Sequence, residues 1–373
     1  MSIEFPFKHI TIVGLGLIGS SIATKVKAQF NSPIIRGVSS PATLKKALKE
    51  GLIDQACHYD DSAAFEETEF ILLCTPISHV LELFNRWSQS TPSFSKQVLI
   101  TDVGSSKNTI CHKAHEALKD LPHVNFIGSH PMAGSEKSGY EARDLHLFEN
   151  SAWIICPEKN TDPKQLNQLQ QFSQCLGARN VVLTSELHDT IVAHISHLPQ
   201  LLATALAGFT STQPQIMEDG LPISGSGFYD MTRLASSSFE MWKPIFESNQ
   251  KDIANALEKF IQYLEQVKTA FQNNNIQPYF TKGQELRERL NQKSKGFARD
   301  NVNLLVTIPD KPKALESMLK PLSQSNINVA DLEILKVREG EGGTVRLAFL
   351  KLKEAEDAYN CLKQNHFEVQ LRD

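Results

Sequence analysis

The sequence predicts an α/β chain in three parts: a doubly wound parallel sheet, an all-α middle domain and a small C-terminal βαββαβ domain. Three observations predict it. The first third alternates short apolar runs with helix-like stretches, starting with Lys8–Val13 and Ser20–Phe30, and such alternation builds parallel sheets. From about His188 to Gln292 the apolar residues recur at helical spacing. Residues 301–373 return to strands, in the order of a ferredoxin-like unit. A chain of 373 residues has room for two or three domains of roughly 100–200 residues each.

Composition narrows the class. Hydrophobic residues make up 41% and charged residues 21%, the balance of a soluble globular protein. A net charge of −4 gives no electrostatic reason to expect nucleic acid or a membrane surface as a partner. No uninterrupted apolar run approaches the roughly 18 residues of a membrane span; Leu198–Phe209 comes nearest. The N-terminus lacks a signal-peptide core. Cys57, Cys74, Cys111, Cys156, Cys175 and Cys361 form no C-x-x-C pair, so the expectation is a cytoplasmic protein with reduced thiols.

Taken in order, the apolar run Lys8–Val13 is a strand and Ser20–Phe30 a helix. Between them stands Gly14-Leu-Gly-Leu-Ile-Gly19, a G-x-G-x-x-G turn in which Gly14, Gly16, Leu17, Ile18 and Gly19 would meet a pyrophosphate. Glycines allow the close backbone approach, and the helix start offers free N–H groups to the anion. A glycine-rich structural turn is the alternative. This makes the first part a Rossmann-type domain.

The second strand, Pro33–Val38, ends at Ser39 and Ser40, where an NAD enzyme usually has a carboxylate for the ribose 2′-hydroxyl. Two hydroxyls with Lys45 and Lys46 nearby lean towards NADP over NAD. Glu69–Cys74 is a buried strand followed by Thr75 and Pro76, which start a loop beside the cofactor. Gln97–Thr101 is another strand, and Ser105 and Ser106 then stand at a helix start, where a serine caps. The apolar run Val124–Ile127 ends in a tight loop carrying His130, placed where ligands sit at the carboxyl ends of strands. A histidine there titrates near neutral pH, and of the twelve in the chain it is the candidate base. Trp153–Cys156 and Asn180–Leu183 read as further strands.

In the middle, Asp189–Phe209 is a helix kinked at Pro199. Gln250–Asn273 has a wide apolar face, which fits a dimer interface or packing within the chain. Arg233 follows a glycine loop; it can fork onto a carboxylate or sit in a surface salt bridge. Neither His188, His194 and His197 nor the cluster Cys111, His112, His115 and Glu116 has metal-ligand character, so no metal is expected. After a polar linker, Gln292–Asp300, the last part reads as Asn301–Ile308, a Pro309–Pro312 turn, helix Ala314–Ser323, strand Asp331–Leu335, a hairpin turn at 339–343, strand Thr344–Leu352, helix Ala355–Gln364 and strand Phe367–Leu371. The expected boundaries are 1–187 for dinucleotide binding, 188–295 for a helical substrate and dimerisation domain, and 300–373 for the last unit.

The chain resembles the prephenate/arogenate dehydrogenase family over nearly its whole length. The segments that carry this are Gly14–Ser20, Cys74–Pro76, Thr101–Lys107, Gly128–Gly139, Ile195–Pro199, Gly227–Ala235 and Met241-Trp242. The last unit is similar to an ACT domain through Pro309–Pro312, Asn326–Asn328 and Arg338–Arg346. The resemblance implies oxidative decarboxylation of prephenate to 4-hydroxyphenylpyruvate, with hydride transfer to NAD or NADP, in tyrosine biosynthesis. It implies His130 and Ser105 as catalytic residues, with Ser105 bonding the ring hydroxyl and orienting His130. Arg233 would bind a substrate carboxylate, with His197, Gln200 and Trp242 in the substrate pocket.

The sequence also departs from the pattern. Gln200 stands where prephenate-specific members carry a second histidine, which leaves arogenate dehydrogenase, making tyrosine directly, as the alternative. Tyr229 replaces a common arginine, and Phe239 a common proline. ACT-like domains sense amino acids, so an amino-acid effector is an implied partner, yet Lys313 replaces a glycine and would block its approach. A different β-hydroxyacid-type dehydrogenase and a catalytically silent amino-acid sensor are the remaining readings. A homodimer through the helical part is expected.

Overall fold

The computed structural model describes residues 4–30, 33–59, 61–90, 92, 94, 97–134, 137–294, 302–309, 311–338 and 342–372. Ser135 and Glu136 of the His130 segment, most of the polar linker, Asp310 and the hairpin turn at 339–341 lie outside these residues. The chain divides into two compact units, 1–274 and 275–373.

The first unit is built on six parallel strands: β1 (His9–Val13), β2 (Ile34–Val38), β3 (Gln55–Cys57), β4 (Phe70–Leu73), β5 (Val98–Asp102) and β6 (Val124–Phe126). Their order is β3-β2-β1-β4-β5-β6, the doubly wound arrangement with its switch point between β1 and β4. Both faces are covered, which is why the central strand β4 reads Phe-Ile-Leu-Leu, buried throughout rather than alternating. Phe70 and Leu72 join one core with Ile10 and Ile12, while Ile71 and Leu73 join another with Val98 and Ile100. Helices α1 (Leu17–Gln29) and α2 (Pro41–Lys49) pack on the first face; α3 (Ile77–Gln89) and α4 (Asn108–Leu118) pack on the second.

A second, three-stranded sheet follows, of β7 (Gly128–Pro131), β8 (Ala152–Cys156) and β9 (Arg179–Val182), with α5 (Pro163–Cys175) between the last two. This corrects the expectation of a tight loop around His130. The chain leaves β6 and enters β7 almost at once, and His130 pairs with Ile154 in an antiparallel ladder. The reason lies in β5. Thr101 Oγ1 donates to Ile127 O at 2.6 Å, and Ser129 N donates to Asp102 Oδ1 at 3.2 Å. These bonds hold the segment extended, and the fully buried Trp153 fixes the sheet against Phe148 and Phe172.

The helical region runs through α6 (Ser185–Val192), a π-helical turn (Ala193–His197) and α7 (Leu198–Ser211), then α8 (Ser226–Thr232), α9 (Phe239–Ser248) and α10 (Gln250–Gln272). The kink expected at Pro199 is instead a wide turn just ahead of it, where Leu198 N donates to Ala193 O. Proline lacks the N–H that a regular turn would use, and widened turns of this kind recur at functional sites. Ser185–Ser211 is therefore one helical stretch of 27 residues, long and apolar enough by length and composition alone to cross a membrane, although polar residues interrupt its apolar run as the sequence showed. Its inner face, however, buries His188, Asp189, His197 and Gln200.

The second unit begins with α11 (Gln277–Ser294) and continues through β10 (Val302–Ile308), α12 (Ala314–Gln324), β11 (Asp331–Arg338), β12 (Gly342–Phe349), α13 (Leu352–Gln364) and β13 (Glu368–Arg372). Its sheet order is β11-β12-β10-β13, antiparallel throughout, which is the expected ferredoxin-like arrangement. Leu304, Val306, Val345 and Leu347 pack on Met318, Leu322, Ala358 and Leu362 from the two helices. Arg346, nearly buried, is held by Glu333 and Asp331, each at 2.8 Å, and by Asn303 at 3.0 Å. Lys313 adopts a left-handed conformation, φ 69°, just before α12.

Candidate active site

At the carboxyl end of β1 the three glycines have different roles. Gly14 has φ +97°, and a Cβ there would lie 2.7 Å from Cys74 O. A Cβ on Gly19 would lie 2.0 Å from Gly14 O, so this glycine lets the helix meet the turn. A Cβ on Gly16 would meet nothing within 4 Å, so Gly16 faces the open space a pyrophosphate needs. The first turn of α1, with half-buried Leu17 and Ile18, has no side-chain cap and no acidic residue. Uncapped N–H groups at a helix start fit an anion, and the cradle fits a dinucleotide. Thr75, ahead of Pro76 at the start of α3, lines a cavity of about 220 Å3 with Val13, Tyr59, His79 and Arg86. Ser39 is buried, and Ser40 caps α2, accepting from Thr43 N at 3.4 Å. Lys46 pairs with Glu141.

His130 lies beyond β5 and β6. Its Nδ1 is 2.9 Å from His188 Nε2, and His188 Nδ1 is 2.7 Å from Asp189 Oδ1. Asp189 also accepts from Lys107 N at 2.7 Å and Asn108 N at 2.9 Å. It is thus Asp189, reaching across from α6, that caps α4; neither Ser105 nor Ser106 does. Ser106 Oγ instead bonds Ser248 Oγ at 2.7 Å, at the end of α9. The serines miss the cap because the helix begins only at Asn108. Beneath lies a fully buried ion pair between Lys107 Nζ and Asp102. Burial first, then the neighbouring His188, Lys107 and His197, hold the His130 imidazole well below its ordinary pKa. It is therefore neutral and free to accept a proton.

The helical side supplies the rest. Asn249 Nδ2 donates to Asp189 O at 2.9 Å and stands 3.4 Å from His197 Nδ1. Burial brings the His197 pKa down to about 4. His197 meets Trp242 edge to face, with ring centroids 6.0 Å apart. Gln200, one turn further along α7, donates from Nε2 to Leu234 O at 2.9 Å, which ties it to the short 3-10 helix Arg233–Ser236. The Gln200 Oε1 and Trp242 Nε1 atoms are buried without a hydrogen-bond partner. Arg233 is exposed, and Ser105 is half-buried without a hydrogen bond to His130. Among the described residues no group of His, Cys, Asp and Glu has the arrangement of a metal site.

Comparison with known proteins then decides the family. Residues 22–182 match the model for the prephenate dehydrogenase nucleotide-binding domain, and residues 184–290 match that for the prephenate dehydrogenase dimerization domain. The chain is 30% identical over 358 residues to prephenate dehydrogenase of Bacillus subtilis (strain 168), covering 95% of each chain. The chain belongs to the prephenate dehydrogenase family. A cyclohexadienyl dehydrogenase of Zymomonas mobilis is 29% identical, over 71% of this chain and 88% of its own. The crystal structure of Aquifex aeolicus prephenate dehydrogenase with hydroxyphenyl propionate and NAD+ superposes with TM-score 0.68 and 28% identity, over 78% of this chain and 100% of that one. Synechocystis arogenate dehydrogenase gives TM-score 0.65 and 28% identity, over 75% and 99%.

As a member of the prephenate dehydrogenase family, the chain is an oxidoreductase with an NAD(P) site in its first domain. Within its site, sequence reasoning missed Asp189 and Asn249 and set His188 aside. The adjacent pair His188-Asp189 was the available signal, an imidazole next to a carboxylate at the start of the long helix. The distance of 58 residues between His188 and His130 hid their contact.

Proposed function

We propose that the chain catalyses oxidative decarboxylation of prephenate to 4-hydroxyphenylpyruvate, with hydride transfer to NAD(P)+, in tyrosine biosynthesis. The observation that carries this reading is a neutral His130 whose Nδ1 is taken by His188, which leaves Nε2 for the substrate. Bound nicotinamide supplies the hydride acceptor. His130 accepts the proton of the ring hydroxyl as the hydride leaves the same carbon, and loss of CO2 aromatises the ring. In this reading Ser105 bonds that hydroxyl, and Arg233 binds a carboxylate. His197, Gln200 and Trp242 line the ring pocket, and Gly14, Gly16, Leu17, Ile18, Gly19, Ser39, Ser40, Thr75 and Pro76 hold the cofactor. Steady-state turnover on prephenate and on arogenate, with each cofactor, tests it. Turnover of neither substrate would refute it.

A second reading, arogenate dehydrogenase, is favoured by Gln200. Its Nε2 is committed to Leu234 O, and Oε1 is left as an acceptor. An acceptor suits an ammonium group better than a keto group.

The preference for NADP over NAD rests on the missing carboxylate at Ser39, since Ser40 and Lys46 already have partners. A homodimer through the helical part is supported by its exposed apolar residues, among them Ile223 (84%), Phe271 (70%) and Phe209 (67%), and burial of such surface drives association. Light scattering that gives a monomer would reject the dimer. We place the domains at 1–187, 188–295 and 300–373. An ACT-like role for the last, with an amino-acid effector, is read from its βαββαβ order. A cytoplasmic location is read from the unpaired cysteines.

A further inference from the structure

We infer that His188 is a positioning residue that takes over the proton His130 accepts, so that the charge of the reaction rests on the His188–Asp189 pair. This rests on the reading of His130 as the base. An ionised carboxylate only accepts hydrogen bonds, so the 2.7 Å contact with Asp189 Oδ1 requires a proton on His188 Nδ1. His188 Nε2 then carries the lone pair, and across 2.9 Å His130 Nδ1 must be the donor. This fixes the tautomer of His130 with its lone pair on Nε2, where no protein group among the described residues bonds it. The two rings cross edge to face at 75° with centroids 5.1 Å apart, and His188 is fully buried, so no water competes for the bond.

The hydroxyl proton moves to His130 Nε2. The proton on His130 Nδ1 moves to His188 Nε2. His188 keeps its Nδ1 proton on Asp189. His130 ends neutral and His188 ends as an imidazolium beside a carboxylate. The surrounding charges favour this placement. Burial first, then a charge on His188, on Lys107 or on His197, opposes a cation on His130. Asp102 is paired with Lys107, and the Cys111 and Cys156 thiols are held protonated by burial, with pKa values pushed up. Asp189 is the carboxylate in contact with an imidazole of this cluster, and two backbone N–H groups of α4 hold it there. The helix N-terminus further favours its negative charge.

The test uses the full-length enzyme with His188→Asn, His188→Gln and His130→Asn. Asparagine or glutamine can still accept from His130 but cannot carry the proton. The expected result is a fall in kcat of about 10- to 100-fold, with KM and cofactor Kd within about twofold. The acid limb of kcat/KM should move to lower pH, because His130 then titrates alone. In wild type, rates in mixtures of H2O and D2O should curve as for two protons in flight, and become linear in the variants. A wild-type kcat and unmoved acid limb in His188→Asn, with His130→Asn inactive, would overturn the relay and leave the base assignment standing. Full activity in His130→Asn would overturn both. Should both His188 variants fail to fold, a linear isotope plot for the wild type alone overturns the relay.

Discussion

Asp189 caps the helix that Lys107 leads into, accepting its backbone N–H at 2.7 Å from 82 residues away. The same carboxylate accepts from Asn108 N and from His188 Nδ1. One side chain thus joins the nucleotide-binding part to the helical part and orients the candidate base. Loss of a helix cap costs about 1 kcal/mol, and buried donors left without partners cost about 1–3 kcal/mol each.

Asp189→Ala should therefore lower unfolding stability by about 3 kcal/mol, with Asp189→Asn, which keeps one acceptor, intermediate. Urea unfolding of the two variants measures this. Equal stability in Asp189→Ala and wild type would mean the cap is made another way.

Stability should also depend on pH through His197. Its folded pKa is about 4, against roughly 6.5 for an unfolded histidine. Between these values the unfolded chain binds more protons, so stability rises with pH. The contribution is fully present above pH ~6.5 and is lost as pH falls towards 4, by about 3 kcal/mol. His130, displaced in the same direction, adds to the slope. His197→Asn should unfold less steeply with acid than wild type between pH 7 and 4.5. Identical midpoints in both proteins across that range would remove His197 from this account.

The sequence made the fold legible because its signals were local. Short apolar strands, a glycine turn beside the first of them, and the strand–helix order of residues 302–372 each depend on neighbours in the chain. His130 was legible for the same reason, although its loop proved to be a strand, because the bonds that extend it come from Thr101 and Asp102. The Asp189–His188–His130 network was not legible, since its spacing along the chain follows no helical or strand period. Nor was the cap on α4, where the nearby serines offered a local answer and a distant carboxylate supplied the actual one.

The glycines make separable predictions. Gly16→Ala adds a Cβ into open space, so the fold should survive while the pyrophosphate is crowded. Its Tm should stay within a few degrees of wild type and its cofactor Kd should rise about tenfold or more, a change worth about 1.4 kcal/mol. Gly19→Ala would place a Cβ 2.0 Å from Gly14 O and should destabilise the domain outright. Unchanged cofactor affinity in Gly16→Ala would move the pyrophosphate elsewhere.

Arg233→Ala should raise KM by about tenfold or more with cofactor Kd unchanged. A charged hydrogen bond to a carboxylate is worth about 1.5–3 kcal/mol. If the arginine binds prephenate and arogenate through a carboxylate they share, both substrates should weaken together. A KM equal to wild type on both would remove Arg233 from the pocket.

Lys313 offers a test in the second unit. At φ 69° it sits in the left-handed region, which costs a side chain bearing a Cβ about 1–2 kcal/mol. Glycine would relieve that strain but adds backbone freedom to the unfolded chain, about 0.5–1 kcal/mol in the other direction. Asparagine tolerates the conformation without that loss. Lys313→Asn should therefore be the more stable variant, by up to about 1 kcal/mol over wild type, and Lys313→Val, β-branched and poorly suited to positive φ, the least stable. Thermal unfolding of the three orders them. The same series probes the effector: if the lysine side chain blocks an amino acid, Lys313→Gly should gain a response of turnover to added tyrosine that wild type lacks. Inhibition of wild type and Lys313→Gly by tyrosine to the same degree would show that Lys313 blocks nothing.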